Sequence, residues 1–390
     1  MNTKSMNNNK LHLAVIPSDP LAAYKQKGTS SWMEEYYNPM HFFDKVYLLS
    51  PLEKESRCEF GMIIVPTTQN QLKERIKELN INVVRAYGGY WASDMACYNK
   101  VKGVPVIVSV HDTNPQILHE SIRKADIVFC VSAIVRSLVL KKFARHDRVW
   151  ILPNRVNLET MRPASSLETS LLDTSYPYQY RILHVGRKSY QKNLDTVIKT
   201  LKILGKEYCL VAIGIGNTQE YIELAKAEGV AEQCYFLDSI ANEDLAMYYS
   251  WANCVCNPSR WEGFGVVFLE ALACAGVVVT SDIPPMNEYI THMSNGILIK
   301  DYENPQAVAE MIAVACRDEG VREFLKGRAR ESILQFDKRN IDQREAHYYK
   351  TVLEMRQNNE FNASLFKRIF RAKSRITGYF HNDFNSHETS

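Results

Sequence analysis

Short apolar runs recur along the first 150 positions, and amphipathic stretches separate several of them. The runs are continuous in hydrophobicity and do not alternate with polar residues, which is typical of strands buried on both faces. They occupy residues 11–16, 45–49, 61–65, 82–86, 104–110, 126–131 and 148–152. Apolar residues at helical spacing fill 71–79, 92–101 and 133–143. This alternation predicts a parallel sheet with helices on both faces.

The alternation stops near residue 158 and begins again near residue 179. The intervening stretch is rich in Ser, Thr and Pro, which is typical of a linker. Beyond it, strand-like runs alternate with helices predicted to begin near residues 193, 218, 242 and 265. A length of 390 residues also fits two domains better than one. The sequence therefore predicts two doubly wound α/β domains.

The predicted boundaries follow from these changes of pattern. In chain order they are a disordered N-terminal segment 1–10, a first domain 11–157, the linker 158–178, a second domain 179–337, a closing helix 338–358 that returns to the first domain, and a basic amphipathic tail 359–390.

Charge is concentrated in that tail. Residues 361–390 hold five Lys/Arg and two Asp/Glu, which accounts for the formal net charge of +3 of the whole chain. A neutral body without a base-reading motif argues against a nucleic-acid partner. Residues 365–380 repeat apolar and basic positions, so they either bind an anionic membrane surface or pack on the protein.

Other features indicate a cytoplasmic protein. Nine cysteines follow neither metal-ligand nor disulfide-framework spacing, and this predicts reduced thiols. The polar first ten residues do not have the pattern of a secretory leader. The apolar stretch 263–281 contains Glu270 and three glycines, which predicts a buried helix followed by a strand and not a membrane span.

Two loops of the predicted second sheet carry glycines at strand ends, where α/β proteins bind ligands, and one of them also carries cations. Gly186 ends one strand and is followed by Arg187 and Lys192, a pair of cations suited to a diphosphate. Two solvated loop bases would give the same letters. Gly214 and Gly216 follow the next strand, and a tight turn explains them equally well.

A third loop leads into the helix of "WEGFGVVFLE", residues 261–270. Gly263 and Gly265 allow backbone N–H groups to face a phosphate at the helix start. Glu262 and Glu270 are separated by at most about 12 Å along a helix, comparable to the span between the two polyol ends of a nucleotide sugar. The alternative is a helix-capping acid with a surface glutamate. However, Glu270 lies among apolar residues, where an idle carboxylate would be costly.

Taken together, V-G-R…K, P-S…E-G-F-G…E-A-L-A…G-V-V-V-T-S and E-Y-I…N-G-I-L-I resemble the pattern of retaining glycosyltransferases of family 4, which have the GT-B fold. The resemblance is strong from about 181 to 345. It is looser in the first half, through "RAYGGYWASDMACYNKVKGVPVIVSVHD" and "ADIVFCVS". It implies two Rossmann-like domains that face a central cleft, the first binding the acceptor and the second the nucleotide sugar.

The resemblance also implies residue roles. Glu262 would bind donor-sugar hydroxyls, Glu270 would bind the ribose, and Arg187 with Lys192 would neutralise the departing diphosphate. The implied catalytic residues are Glu262, Arg187, Lys192 and His111, and the implied donor-binding residues are Gly186, Gly263, Phe264, Gly265, Glu270, Gly214, Gly216 and Gly28. The first loop departs from the family pattern, because a single Gly28 stands where many relatives have two adjacent glycines.

The expected activity is transfer of a sugar from a UDP- or GDP-sugar to a glycan or lipid-linked acceptor, with retention, in cell-surface polysaccharide or lipopolysaccharide synthesis. No carboxylate pair of the D-x-D kind occurs in a cleft loop, so neither a metal nor a cofactor is expected. The expected location is the cytoplasm, with the inner face of the plasma membrane if the tail binds lipid. A nucleotide-sugar epimerase of the same fold and a catalytically idle nucleotide-sugar-binding scaffold remain alternatives.

Overall fold

A computed structural model of the chain describes residues 10–26, 33–143 and 146–361, and these fold around two sheets. The predicted N-terminal segment, Gly28 and the predicted basic tail lie almost entirely outside the described residues. The first sheet contains β1 (His12–Ile16), β2 (Lys45–Ser50), β3 (Arg57–Glu59), β4 (Met62–Pro66), β5 (Val83–Tyr87), β6 (Val106–Val110), β7 (Ile127–Cys130) and β8 (Val149–Ile151). Its order is β3-β4-β2-β1-β5-β6-β7-β8.

Helices cover both faces of this sheet. They are α1 (Leu21–Gln26), α2 (Met33–Tyr37), α3 (Leu72–Glu78), α4 (Trp91–Tyr98) and α5 (Ala133–Phe143). Each of the seven predicted strands is present within two residues of its predicted bounds. All neighbouring strands are parallel except β3 and β4. The parallel strands are buried along most of their length, which explains their unbroken apolar runs.

The second sheet is parallel throughout its described strands. It contains β9 (Tyr180–Val185), β10 (Tyr208–Ile213), β11 (Cys234–Leu237), β12 (Cys254–Asn257), β13 (Val278–Ser281) and β14 (Ile297–Ile299), in the order β11-β10-β9-β12-β13-β14. The helices that accompany it are α6 (Ser166–Ser175), α7 (Leu194–Leu204), α8 (Thr218–Ala227), α9 (Asn242–Trp251), α10 (Val266–Ala273), α11 (Pro305–Arg317) and α12 (Glu319–Ala329). The chain ends its described part with α13 (Lys338–Gln357).

The stretch 158–178, predicted as a linker from its composition, contains the helix α6. Ser165 caps this helix: its hydroxyl accepts from the backbone N–H of Glu168, whose carboxylate accepts from the N–H of Ser165 in return. Such a capping box stabilises a helix start by satisfying backbone donors that have no other partner. The prediction missed the helix because α6 buries only a few side chains, and Leu167 and Leu171 remain exposed.

The closing helix α13 follows the second domain in sequence but packs on the first. Its Ile341, Tyr349, Val352 and Met355 belong to the same buried cluster as residues of β1, β2 and β7. Tyr349 lies edge-on to Phe43, with ring centroids 4.9 Å apart. The two domains are therefore connected twice: by residues 152–165, which lead from β8 of the first domain to α6 of the second, and by α13, which returns to the first domain. In the part of the chain described, no helix is both long enough and apolar enough to cross a membrane.

Candidate active site

Two neighbouring strands of the second sheet bring the predicted cation loop and the predicted carboxylate loop together. β9 ends at Val185 and β12 at Asn257, and these strands are hydrogen-bonded neighbours. Arg260 joins the loops: its guanidinium donates to the Tyr190 carbonyl (2.6 Å) and to the Asp195 carboxylate (3.0 Å). The Gln191 side-chain amide donates to the Trp261 carbonyl at 2.8 Å. The loops are therefore fixed to each other before any ligand binds.

Lys192 and Glu262 form an ion pair at this junction. Lys192 Nζ lies 2.5 Å from Glu262 Oε1, and the same oxygen accepts from the Ser259 hydroxyl at 2.9 Å. The Glu262 side chain is 7% exposed and that of Lys192 is 17% exposed. The predicted sugar-binding carboxylate and the predicted phosphate-binding cation are thus one ion pair, in which Glu262 is buried and Lys192 is partly exposed. Sequence reasoning named both residues without this pairing.

Arg187 differs from Lys192 in its surroundings. Its side chain is exposed, and within the described residues no ion pair involves it. Lys188, its neighbour, is instead buried: its Nζ donates to the Leu237 carbonyl at 2.7 Å and also to the Gly214 carbonyl. Burial lowers the pKa of Lys188. Arg187 is therefore the unpaired cation of this loop, while Lys188 ties neighbouring strand ends together.

Two of the predicted glycines are required by close backbone contacts. A Cβ at Gly214, where φ is +145°, would lie 2.0 Å from the Gly186 carbonyl oxygen. A Cβ at Gly263 would lie 1.8 Å from the carbonyl oxygen of His111, in the first domain. Only glycine permits such an approach. Gly263 is therefore a place where the two domains meet without room for a side chain, and Gly214 allows the loop of Gly216 to lie against that of Gly186.

The remaining members of the EGFG loop sit at the start of α10. Gly265 precedes the helix in a left-handed conformation, with φ of 81°. Phe264 is buried, and its ring stacks on Tyr289 with a centroid separation of 5.4 Å. The Tyr289 hydroxyl donates to the Phe264 carbonyl at 2.8 Å. The side chain of Phe264 thus packs in the protein interior, so only its backbone could contact a nucleotide-sugar donor.

Glu270, on α10, has one neutral partner. The Tyr249 hydroxyl donates to Glu270 Oε2 at 2.8 Å. Burial raises the pKa of Glu270 to about 7, and the Tyr249 hydrogen bond opposes that rise. A carboxyl group with this pKa is about half ionised near neutrality. Tyr249 was not identified from the sequence, where it lies in an ordinary helical stretch.

His111 directly follows β6 and faces the second domain. Its ring stacks on Tyr87, with centroids 5.9 Å apart and an interplanar angle of 21°. Burial and then the charge of Arg85 lower the pKa of His111 to about 4, so the imidazole is neutral near pH 7. His111 Nε2 is buried and has no hydrogen-bond partner within the described residues. In a neutral imidazole, Nε2 can either donate one hydrogen bond to a ligand or accept one from it, depending on the tautomer.

A cavity of about 890 Å³ opens beside His111 between the domains. Most of its wall comes from the first domain and from residues 154–161, which lie between β8 and α6 where the chain passes to the second domain. Glu270 and Val266 of α10 contribute from the second domain. The cavity thus joins the predicted donor side at Glu270 to the first domain at His111. Within the described part of the chain, no cluster of three or more His, Cys, Asp or Glu side chains could hold a metal ion.

Comparison with known proteins adds to this geometry. Residues 174–332 match the family model described as Glycosyl transferases group 1. An uncharacterized glycosyltransferase of Methanocaldococcus jannaschii is 34% identical over 178 residues, covering 45% of each chain. O-antigen chain mannosyltransferase B of Escherichia coli is 25% identical over 247 residues, covering 60% of this chain and 63% of that protein. The chain spans about half the length of the first curated relatives that it matches.

Solved structures resemble the chain over most of its length. Anabaena HepE, solved in complex with UDP, superposes with a TM-score of 0.74 at 15% identity, covering 87% of this chain and 100% of that one. HepE has also been solved with UDP-glucose. The two facing Rossmann-like domains predicted from the sequence are confirmed, as is the resemblance on which that prediction depended. Residues 174–332, most of the second domain, therefore match the glycosyl transferases group 1 model, and the chain as a whole has the GT-B fold.

Proposed function

We propose that the protein is a glycosyltransferase that moves a sugar from a UDP- or GDP-sugar to a glycan or lipid-linked acceptor with retention of configuration. The observation that carries the proposal is the Lys192–Glu262 ion pair at two adjacent strand ends, with the exposed Arg187 in the same loop as Lys192 and with Gly263, next to Glu262, against the His111 carbonyl of the first domain. Strand ends of this kind are where open α/β sheets bind ligands. The matching family description and the named relatives support the same reaction class.

The reaction requires charge stabilisation at the leaving group. The bond between the anomeric carbon and the diphosphate breaks, a bond to the acceptor hydroxyl oxygen forms, and the acceptor proton passes to the leaving phosphate. Negative charge therefore grows on the diphosphate in the transition state. Lys192 and Arg187, two cations of the same loop, would stabilise this charge more strongly in the transition state than in the ground state.

The two carboxylates, those of Glu262 and Glu270, suit the two hydroxyl-bearing ends of the donor, its sugar and its ribose. In this proposal Glu262 accepts hydrogen bonds from donor-sugar hydroxyls while Lys192 turns between Glu262 and the phosphate. Glu270 accepts from the ribose hydroxyls. Charge-assisted bonds of this kind contribute about 1.5–3 kcal/mol each. Because Lys192 and Arg187 supply positive charge at the diphosphate, we propose that the reaction needs neither a metal nor a cofactor.

The cellular setting extends the proposal. The similarity to an O-antigen mannosyltransferase supports a role in cell-surface polysaccharide or lipopolysaccharide synthesis at the cytoplasmic side. Residues 365–380, outside the described residues, would bring the enzyme to an anionic membrane surface. Liposome co-sedimentation of the full chain against a chain ending at residue 360 tests this part. Equal pelleting of the two proteins would remove the membrane role.

Nucleotide release tests the central proposal. We expect the full chain to release UDP from UDP-glucose or GDP from GDP-mannose slowly without acceptor, and to do so equally in EDTA. Glu262→Gln and Lys192→Met should each lower the rate by about 100-fold, the usual cost of removing a preorganised group that binds developing charge. Lys202→Met, at an exposed lysine on α7, is the matched control and should keep the wild-type rate.

Two outcomes would count against the proposal. Wild-type rates in both site variants would show that the pair is not part of the reaction. If a thermal-shift assay shows that the wild-type chain binds a nucleotide sugar, but the chain releases no nucleotide with any acceptor, the protein would instead be a binding scaffold.

A further inference from the structure

The cavity beside His111 is lined by aromatic side chains of the first domain. Tyr24, Tyr36, Tyr37, Tyr87 and Tyr90 all contribute to its wall. Its volume of about 890 Å³ lies within the range of cavities that bind small molecules. Clefts of this composition bind ligands that present both an apolar face and a few polar groups.

Two buried polar atoms in this wall have no partner. Tyr87 is 6% exposed, and neither its hydroxyl nor His111 Nε2 makes a hydrogen bond within the described residues. The two rings stack on each other, so both atoms belong to one rigid surface. Leaving a buried polar atom unpaired is costly, and such atoms are rare in folded proteins. A ligand that supplies hydroxyl groups would satisfy both.

The two cations of the wall are already paired. Arg155 donates to Glu345 Oε2 at 3.1 Å and also to Asp342, and Lys338 Nζ lies 2.7 Å from Asp342 and 3.1 Å from Glu35. Asp112 accepts from the backbone N–H of Asn114 at 2.7 Å. Among the described residues that line the cavity, no cation therefore remains to neutralise a phosphate. The electrostatics favour an uncharged ligand.

We propose that this cavity binds an uncharged pyranose ring of the acceptor, packed against the tyrosine rings and hydrogen-bonded to the Tyr87 hydroxyl and His111 Nε2. A pyranose has an apolar face of C–H groups and an edge of hydroxyls, which matches the composition of the wall. The inference rests on the proposed function and narrows its acceptor. The ring recognised is neutral whether it ends a free oligosaccharide or a lipid-linked glycan.

Direct binding tests the inference without requiring turnover. Saturation-transfer NMR on the full chain with UDP present would compare methyl glucoside, methyl mannoside and methyl galactoside with glucose 6-phosphate, mannose 6-phosphate and galactose 6-phosphate. We expect at least one neutral glycoside to bind and its phosphorylated counterpart to bind at least tenfold more weakly. Equal or tighter binding of the phosphates, or no binding of any neutral glycoside, would overturn the inference.

Single-atom variants locate the ring. Tyr87→Phe should weaken glycoside binding by about fivefold, a typical change for one neutral hydrogen bond, and should leave the melting temperature unchanged or higher because it removes an unpaired buried hydroxyl. His111→Phe keeps a ring beside Tyr87 but removes Nε2, and should weaken binding similarly. Tyr98→Phe, at a half-exposed tyrosine of α4 that does not line the cavity, is the control. Unchanged glycoside affinity in both cavity variants would contradict the assignment.

The two proposals fail in different experiments. Nucleotide release without acceptor measures only the donor half of the reaction. If no nucleotide is released with any acceptor but neutral glycosides still bind at Tyr87, the proposed function is wrong, and the cavity is a site for a neutral pyranose that is not an acceptor. The opposite outcome is that nucleotide is released and a lipid-linked glycan accepts sugar, but no methyl glycoside binds or accepts sugar. In that case the cavity assignment is wrong.

Discussion

Each domain has a carboxylate that is buried and ion-paired, but the two carboxylates differ in how completely their surroundings are closed to solvent. In the first domain, Glu345 of α13 lies between two arginines: it contacts the Arg85 guanidinium with one oxygen and that of Arg155 with the other, at 3.1 Å. The Tyr349 hydroxyl also donates to it at 3.2 Å. In the second domain, Glu262 has one cation, Lys192, and one hydroxyl, that of Ser259.

The difference separates a structural cluster from a site. Glu345 is 1% exposed, and Arg85 beneath it is also held by Ser109 at 2.9 Å and lies 4.6 Å from the Tyr87 ring centre. Arg85 and Glu345 face protein, and Arg155, which reaches the cavity wall, is held by Glu345 and Asp342. Lys192 remains partly exposed, and the exposed Arg187 is nearby in sequence. A ligand can enter the second arrangement without breaking the fold, whereas the first joins α13 to the sheet.

The largest expected effect is on stability, at Glu345. Glu345→Ala would leave Arg85 and Arg155 short of a carboxylate in a buried place, and breaking such a pair costs about 3–5 kcal/mol. We expect the free energy of unfolding in urea to fall by that amount. Glu262→Ala should lower it by only about 1 kcal/mol, because Lys192 can reach water.

Glu354→Ala is the matched control for this comparison, since Glu354 is an exposed acid on the same helix. It should leave the free energy of unfolding within about 0.5 kcal/mol of wild type. If Glu345→Ala and Glu262→Ala destabilise the chain equally, the distinction between the cluster and the site is wrong.

An intermediate effect is expected at Glu270, a partly buried carboxyl on the cavity wall whose partner Tyr249 is neutral. Its pKa of about 7 means that the ionised form, which accepts from ribose hydroxyls, disappears as the pH falls through 7. If only this form binds, UDP-glucose or GDP-mannose should bind about tenfold more weakly at pH 6 than at pH 8. Calorimetry across this range measures the change.

Two variants sharpen the Glu270 prediction. Glu270→Gln should bind weakly at every pH, with a flat profile. Tyr249→Phe should move the midpoint to higher pH, because it removes a hydrogen bond that favours the carboxylate. A midpoint near 7 that persists in Glu270→Gln would assign the titration to another group.

Several of these contacts join residues that sequence patterns cannot bring together. Apolar runs predicted β1, β5 and β6, and helical spacing predicted the bounds of α5 and α13, because each depends on local periodicity. The Lys192–Glu262 pair depends on the order of strands in the sheet, and the Arg85–Glu345 pair spans 260 positions. The strand β3 has three residues at a sheet edge, too few to show a pattern.

The helix α6 shows the opposite case, in which a local signal was present. Its Ser165-x-x-Glu168 cap is readable in the sequence as S-x-x-E. The Ser- and Thr-rich composition around it outweighed that signal in the prediction. The stacking of Tyr87 on His111 had no local signal, because the residues end two neighbouring strands, β5 and β6. The cavity they line therefore required the fold.

The smallest expected effect concerns a carboxylate whose partners, in the part of the chain that the structure describes, are backbone N–H groups. Glu288, from the second domain, accepts from the N–H groups of Ala133 and Ile134 at 2.9 Å each, at the start of α5 in the first domain. A carboxylate at a helix N-terminus contributes about 0.3–1 kcal/mol when exposed. Glu288→Gln should therefore speed hydrogen exchange at these two amides by about two- to fivefold. Glu319→Gln, an exposed acid on α12, should leave them unchanged. This contact joins the two domains. Unaltered exchange in Glu288→Gln would therefore mean that the Glu288 carboxylate does not protect these amides in solution and does not help to hold the domains together.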